Sequence, residues 1–369
     1  MVFVCATVYG GTSDSKKAHL TKEWYPSNSH DPKVLSLALK ELNQQAKAQY
    51  GARIAGVKVL IVPHAAFSYS GVLASACFSQ CDSKIIKRII ILAPCHTSPF
   101  AGVQLPSYSS YRLSSGVLPV DAKLVQALKQ ENKLFFMASS PKQDSHYIEH
   151  SVEIQLPFIQ KYASRAKIVP LIVGSLDQEA LKKVARGLKK HIHDQTIIVV
   201  SSDFTHYGPR FDNVPFKQDK TTADRIRLLD NALLQPIFNR SLADFLEVLH
   251  HSEANICGKN SLALLLALFE EGVFPHVVPY LIGYDTSRTK GKDLENSVSY
   301  VGVAFGAPSK TISPILTEYE KRSLAQLNVL ARSTQESMGI DEQERFLRMP
   351  LISPGIQKTY DRLLAQKTN

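Results

Sequence analysis

Four short runs of nearly unbroken apolar character recur along the first two hundred residues, at 57–62, 85–93, 167–173 and 196–200. Each is rich in valine and isoleucine, with few interior charges. A strand covered on one face alternates apolar and polar positions, whereas a strand covered on both faces does not. These runs therefore predict central strands of a doubly covered sheet. Between and after them, residues 120–130, 150–162, 178–191 and 222–234 carry apolar positions at helical spacing. Pro157 inside the second stretch predicts a kink. Helices are also expected over 242–250 and 261–271, followed by strands over 277–283 and 298–305. This alternation predicts the α/β class: a mixed, largely parallel sheet core flanked by helices.

The alternation stops near residue 307. The segment 308–314, bounded by Pro308 and Pro314, reads as a linker. Residues 315–369 are polar and mostly helical in pattern, broken between Pro350 and Pro354. The expected organisation is one α/β domain over 1–307 and a short helical C-terminal tail over 315–369. No internal repeat or low-complexity segment stands out.

Composition narrows the function classes. With 44% hydrophobic and 21% charged residues, the chain is ordinary globular protein, not disordered. A formal charge of +10 invites a nucleic-acid reading. The basic residues are scattered, however. The densest runs (Lys84, Lys87, Arg88; Lys182, Lys183, Arg186, Lys189, Lys190) sit on amphipathic patterns, as a solvated helix face does. No nucleic-acid partner is expected. The five cysteines, at 5, 77, 81, 95 and 257, are odd in number and irregular in spacing, which argues against a disulfide framework and for a reducing compartment. The N-terminus lacks the basic region of a signal peptide, and no apolar run reaches about 18 residues, so no membrane span is expected. The expected location is the cytoplasm. Nothing in the pattern specifies an oligomeric state.

Three histidines share one context. His64, His96 and His206 each follow the end of an expected strand within a few residues. In open α/β sheets ligands bind at that edge, so three side chains placed alike could converge there. A loop histidine can also be a plain surface or capping residue. Neutral imidazole is both the commonest metal ligand and a proton acceptor near pH 7, and spacing does not divide those roles. Cys257, in NICGKNSL, stands at the start of an expected helix. That position lowers a thiol's pKa, and a thiolate ligates iron, copper or zinc. The alternative is a small buried apolar residue. Cys77 and Cys81, four apart on an apparent helix, read as packing residues. Asp203, three residues before His206, could orient an imidazole. His150 and Glu153 share one face of a helix opened by Glu149, where capping and surface pairing are the other reading.

The segments PHAAFSYSG (63–71), LAPCHTSPF (92–100), EHSVEIQLPF (149–158), SSDFTHYGPRF (201–211), NICGKNSL (255–262) and ENSVSYVG (295–302) together resemble the signature segments of the Memo family, in order and in spacing. His19 and the pair Trp24–Tyr25 resemble the family's opening segment, so the resemblance spans roughly residues 15–306. It implies a fold like the LigB-type class III extradiol dioxygenases, which bind Fe(II) through two histidines and a carboxylate and use another histidine as acid/base. In Memo proteins cysteine holds the carboxylate position. The resemblance thus implies His64, His96 and Cys257 as ligands of an Fe(II) or copper ion and His206 as the acid/base residue. Asp203, His150, Glu153 and Cys95 would be their neighbours. It implies a mononuclear redox site in a metal-dependent oxidoreductase; alternatively, a non-enzymatic binding or adaptor module that uses the old pocket for a peptide or small-molecule ligand. Animal members act in receptor-linked motility, and prokaryotic members form part B of the AmmeMemoRadiSam set.

Departures from the family pattern lie beside the four site residues. Ala66 and Phe67 replace a glycine and a tyrosine, Thr97 replaces the second of two histidines, Cys95 replaces a serine, and Thr205 and Tyr207 flank His206 in place of cysteine and tryptophan. The stretch SPILTEYEKRSLAQLNVLARSTQESM (313–338) resembles the first helix of the part A domain, implying a truncated fusion. An ordinary helical tail is the other reading.

Overall fold

Strands that expose neither face to water must satisfy their backbone groups on each other. A computed structural model describes residues 15–20, 23–25, 31–51, 53–140, 143–252, 254–291, 293 and 295–308. In it the chain runs through β1 (Ser15–Lys17), α1 (Pro32–Tyr50), β2 (Val59–Val62), α2 (Phe67–Phe78), β3 (Arg88–Pro94), β4 (Val103–Leu105), β5 (Ser110–Leu113) and β6 (Gly116–Pro119). It continues through α3 (Ala122–Glu131), β7 (Phe135–Met137), α4 (His150–Glu153), α5 (Leu156–Tyr162), β8 (Lys167–Val173), α6 (Gln178–Lys189), β9 (Thr196–Ser201) and β10 (His206–Tyr207). It ends with α7 (Thr222–Asn239), α8 (Leu242–His251), α9 (Lys259–Glu270), β11 (Val278–Thr286) and β12 (Ser297–Gly306).

Among the described residues one nine-stranded sheet runs β10-β12-β2-β9-β3-β8-β4-β7, with β11 paired to β12. Its centre, β2-β9-β3-β8, is parallel, and β12 and β4 flank it antiparallel. The apolar runs form that centre: every residue of β2 and β9 is buried. Each such Val, Leu or Ile contributes about 1.5–3 kcal/mol by leaving water. A smaller sheet, β1-β5-β6, is hydrogen-bonded separately and packs beside β8.

The crossover from β2 to β3 and the crossover from β8 to β9 travel in opposite directions along the sheet. Right-handed connections therefore put α2 and α6 on opposite faces. α1 and α5 join α2, while α9 joins α6. α6 buries Leu181, Val184, Ala185 and Leu188 and turns its basic residues outward, as its pattern predicted. Asp177 starts it by accepting from the Ala180 N–H at 2.7 Å.

Three local expectations change. Residues 150–162 are two helices, because Pro157 opens α5, where a missing N–H costs nothing. Cys81 lies past the end of α2, whose last turn closes at Ser79, so only Cys77 is helical; both are buried. The hairpin strands β5 and β6 were not foreseen. No described helix is long and apolar enough to cross a membrane. The expected tail at 315–369, and the linker from 309 on, lie outside the described residues.

Candidate metal centre

The parallel strands β2, β9 and β3 end side by side, with Val62 level with Ser201 and Leu92 level with Val200. The chain therefore leaves the sheet at one edge three times, carrying His64, His96 and then Asp203 and His206. Three further pieces close the walls of a cavity of about 530 Å³: the start of α4 with His150, the approach to α9 with Cys257, and Trp24. Gly258 makes the α9 approach possible. A Cβ there would stand 2.4 Å from Ser202, and the Gly258 N–H donates to Ser202 Oγ at 3.1 Å.

One ring nitrogen from each of His64, His96 and His150 lies within 4.8 Å of the other two. The ring centroids are 5.2, 5.3 and 4.4 Å apart. Hydrogen bonds settle two tautomers. Ser201 Oγ donates to the Ser151 carbonyl at 2.7 Å, so it accepts from His64 Nδ1 at 3.0 Å. His64 Nε2 is thereby left as a bare lone pair, and this buried atom has no hydrogen-bond partner. Leaving such an atom unsatisfied costs about 1–3 kcal/mol. His96 Nδ1 donates to Glu149 Oε1 at 2.8 Å, which frees its Nε2 in the same way.

Glu149 is the organising anion. It caps α4, takes the His96 N–H at 2.7 Å and the Ser151 N–H at 3.1 Å, and lies 3.3 Å from His150 Nδ1. Burial alone would raise its pKa. The hydrogen bonds and charge of His96, with His150, outweigh that and hold it at about 2. Burial first, then neighbouring imidazoles, push His64 well below its usual value, and burial and His96 bring His150 to about 4 against the opposing pull of Glu149. Burial also lowers His206. These three rings are neutral near pH 7 and offer lone pairs.

A model of the family described as "Memo-like protein" matches residues 16–304. The chain belongs to the Memo family. The "Protein memo-1 homolog" of Caenorhabditis elegans is 30% identical over 305 residues, covering 80% of this chain and 84% of that protein. A "MEMO1 family protein" of Sulfurisphaera tokodaii is 28% identical over 252 residues, 67% of this chain and 82% of the relative. Human "Protein MEMO1" is 29% identical over 223 residues, 58% of this chain and 73% of the relative. Every residue lining the cavity falls inside the span matched by the Memo model.

Set beside the residues expected from the Memo signatures, the arrangement differs in detail. His64, His96, His206, Cys257, Asp203 and His150 all line the one cavity. The tight nitrogen cluster takes His150 as its third member. Cys257 instead faces His206, with Sγ 3.3 Å from Nε2. His206 Nδ1 lies 2.8 Å from the Phe204 carbonyl and 3.2 Å from the Asn255 carbonyl, so it carries the proton and Nε2 accepts from the thiol. Burial, reinforced by Asp203, pushes the Cys257 thiol well up; the lowering expected from a helix N-terminus does not prevail. Asp203 does not orient His206. Its Oδ1 accepts the His64 N–H at 2.8 Å, its Oδ2 stands 4.0 Å from His64 Nε2, and burial pushes it up to about 7.

Glu153 and Cys95 sit elsewhere. Glu153 faces the N-terminal segment, where it accepts the N–H groups of His19 and Leu20 at 2.9 and 2.8 Å, His19 Nδ1 at 2.6 Å and Lys16 Nζ at 3.4 Å. Cys95 contacts Ser145 Oγ and the Ser98 carbonyl. The N-terminal segment that Glu153 holds leads to Trp24, the chain's one tryptophan, whose ring lies 4.4 Å from that of His150. Reasoning from strand exits missed Trp24 and the anchoring role of Glu149. Only the family signatures, which include both residues, signalled them.

Proposed function

We propose that this Memo-family protein holds one redox-active metal ion, iron or copper, and acts as a metal-dependent oxidoreductase on a small molecule. The observation that carries the reading is the donor set: imidazoles anchored through Nδ1, with the buried His64 Nε2 unpartnered and aimed at its neighbours. A site of this kind is fitted to a cation that accepts nitrogen lone pairs. His64 and His96 are the core ligands. His150 adds a third nitrogen, and Cys257 adds a sulfur when it ionises. Burial opposes that ionisation, so a cation receiving the thiolate would have to drive it, with His206 Nε2, 3.3 Å away, taking the proton as the S–H bond breaks and the N–H bond forms. Iron or copper held there supplies one-electron chemistry and open positions for oxygen or substrate.

The walls set what enters. Trp24, Tyr69, Phe211 and Tyr300 flank the histidines, so a small molecule or a peptide side chain is the fitting ligand. The free thiols of Cys77, Cys81, Cys95 and Cys257 suit a reducing compartment, the cytoplasm.

The test is elemental analysis of protein purified without oxygen. Wild type is expected to carry about one iron or copper per chain, and His64→Ala, His96→Ala and Cys257→Ala to carry much less. Equal, near-zero metal in all four would overturn the reading. Oxygen uptake with a catechol or thiol substrate tests turnover. Metal without any uptake would leave a binding module and remove the oxidoreductase claim.

A further inference from the structure

A second pocket lies beyond the N-terminal ends of β2 and β3, at the opposite edge of the sheet from the histidines. Its volume is about 500 Å³. Lys47 of α1, Arg53 of the following turn, Lys84 of the loop before β3 and Lys161 of α5 all line it. Four separate segments thus bring four cations to one concavity. Asp82 is the one carboxylate among its described lining residues, and it accepts the Lys84 N–H of its own loop at 3.0 Å.

Among the described residues none of these four cations has an ion-pair partner. Elsewhere on the surface some cations are paired, such as Lys182, Arg186, Lys190 and Lys290, so it is the convergence of four unpaired cations in one concavity that sets this pocket apart. α1, α2 and α5 all end at this pocket, and each helix C-terminus carries roughly half a negative charge. Lys47 and Lys161 stand in the last turns of α1 and α5. Three helix ends and Asp82 offset about two and a half of the four charges, which leaves a surplus of roughly +1.5. Helix capping therefore does not account for the whole set.

The remaining lining supplies neutral donors. Asn43 Oδ1 accepts from Tyr162 Oη at 2.8 Å, which leaves the Asn43 amide N–H groups as donors. Ser83 adds a hydroxyl, whereas the Ser79 hydroxyl donates to the Ala76 carbonyl at 2.7 Å. Ammonium and guanidinium groups converging with amide and hydroxyl donors match the several acceptor oxygens of a phosphate group. A concave site of this size encloses a small molecule, unlike a basic stripe along a duplex.

We propose that this pocket binds a small organic phosphate, a phosphate monoester or diphosphate up to nucleotide size. The site is independent of the metal centre. The test is isothermal titration of the full chain with inorganic pyrophosphate and with adenosine diphosphate in chloride buffer. Both are expected to bind, and the double variant Lys84→Ala/Lys161→Ala to bind roughly tenfold more weakly or worse. These residues are exposed, so an unchanged melting temperature checks the fold. The double variant Lys182→Ala/Lys190→Ala, on another face, is expected to bind as wild type does. Binding is also expected to persist in His64→Ala/His96→Ala; its loss there would assign the phosphate to the histidine cavity and overturn the proposal. No heat from either probe, or equal affinity with and without Lys84 and Lys161, would overturn it too. So would lysine-dependent sedimentation with phosphatidylinositol-phosphate vesicles when neither free probe binds, since the surface would then serve a membrane.

Discussion

Replacing Glu149 with glutamine tests the electrostatics of the histidine cluster directly. Glu149 is 1% exposed and its folded-state pKa falls from the usual 4.5 to about 2. At about 1.4 kcal/mol for each tenfold change in proton affinity, that fall amounts to roughly 3 kcal/mol of stability. The sign follows from the direction of the shift. A depressed carboxylate contributes fully above its unfolded-state pKa, and the contribution drains away as pH falls from about 4.5 toward 2. Glutamine carries no such linkage. It also has one acceptor oxygen where the carboxylate used two, one for the His96 N–H and one for His96 Nδ1. An amide N–H₂ facing Nδ1 forces the other tautomer on His96 and puts a proton on the nitrogen that should face the metal. Two readouts follow. Urea melts of wild type and Glu149→Gln should differ by about 3 kcal/mol at pH 7, with the gap closing as pH falls below 4. Metal affinity, measured by chelator competition, should drop roughly 10–100-fold. A constant gap down to pH 2.5, or unchanged affinity, would show that Glu149 neither ionises as argued nor fixes the ring.

Other changes probe the frame around the site. Glu153→Ala strands the buried Lys16 ammonium and the His19 and Leu20 N–H groups, and should cost about 3–5 kcal/mol in denaturant melts; a loss under about 1 kcal/mol would mean that the N-terminal segment is not held there. Gly258→Ala drives a methyl to 2.4 Å from Ser202, so it should destabilise by about 1–3 kcal/mol and displace Cys257, read as lost metal. Because Trp24 lies 4.4 Å from His150, copper added to the apoprotein should quench tryptophan emission in wild type and much less in His64→Ala/His96→Ala; equal quenching in both would separate Trp24 from the metal.

What could be read from the chain follows from how each element is stabilised. β2, β8 and β9 are legible because burial on both faces writes an unbroken apolar run. α6 is legible because one of its faces meets water. α2 has nine of its twelve residues buried, so no helical period marks it. β4, β5, β6 and β7 span three or four residues each and exist through their partners, which short-range pattern does not encode. The site divides along the same line. Strand exits fix where His64, His96 and His206 emerge, so topology alone brings them to one edge. The nearness of His150 to His96 depends on how α4 seats against the end of β3, where Ser151 Oγ donates to the Pro94 carbonyl at 2.9 Å across 57 residues. The partners of Glu153 lie 133–137 residues away, beyond any local signal.

The same packing explains why a cation suits the cluster better than protons do. Two protonated imidazoles about 5 Å apart repel by roughly 3 kcal/mol at an effective dielectric of 20, and burial adds to the cost. With centroid spacings of 4.4–5.3 Å, the three rings cannot all be charged together. Glu149 neutralises at most one of them, and Asp203, raised to about 7 by burial, supplies only part of a second negative charge near neutrality. Burial therefore keeps His64 and His150 neutral near pH 7, with Glu149 and Asp203 close by, so their lone pairs are open to a shared cation. A cation bound there would satisfy His64 Nε2 and, on the reading proposed above, would favour ionised Cys257 and Asp203. Metal uptake should accordingly release protons, measurable as acidification of a weakly buffered solution. If binding released none, the thiol and the Asp203 carboxyl would not take part, and the donor set would reduce to the imidazoles alone.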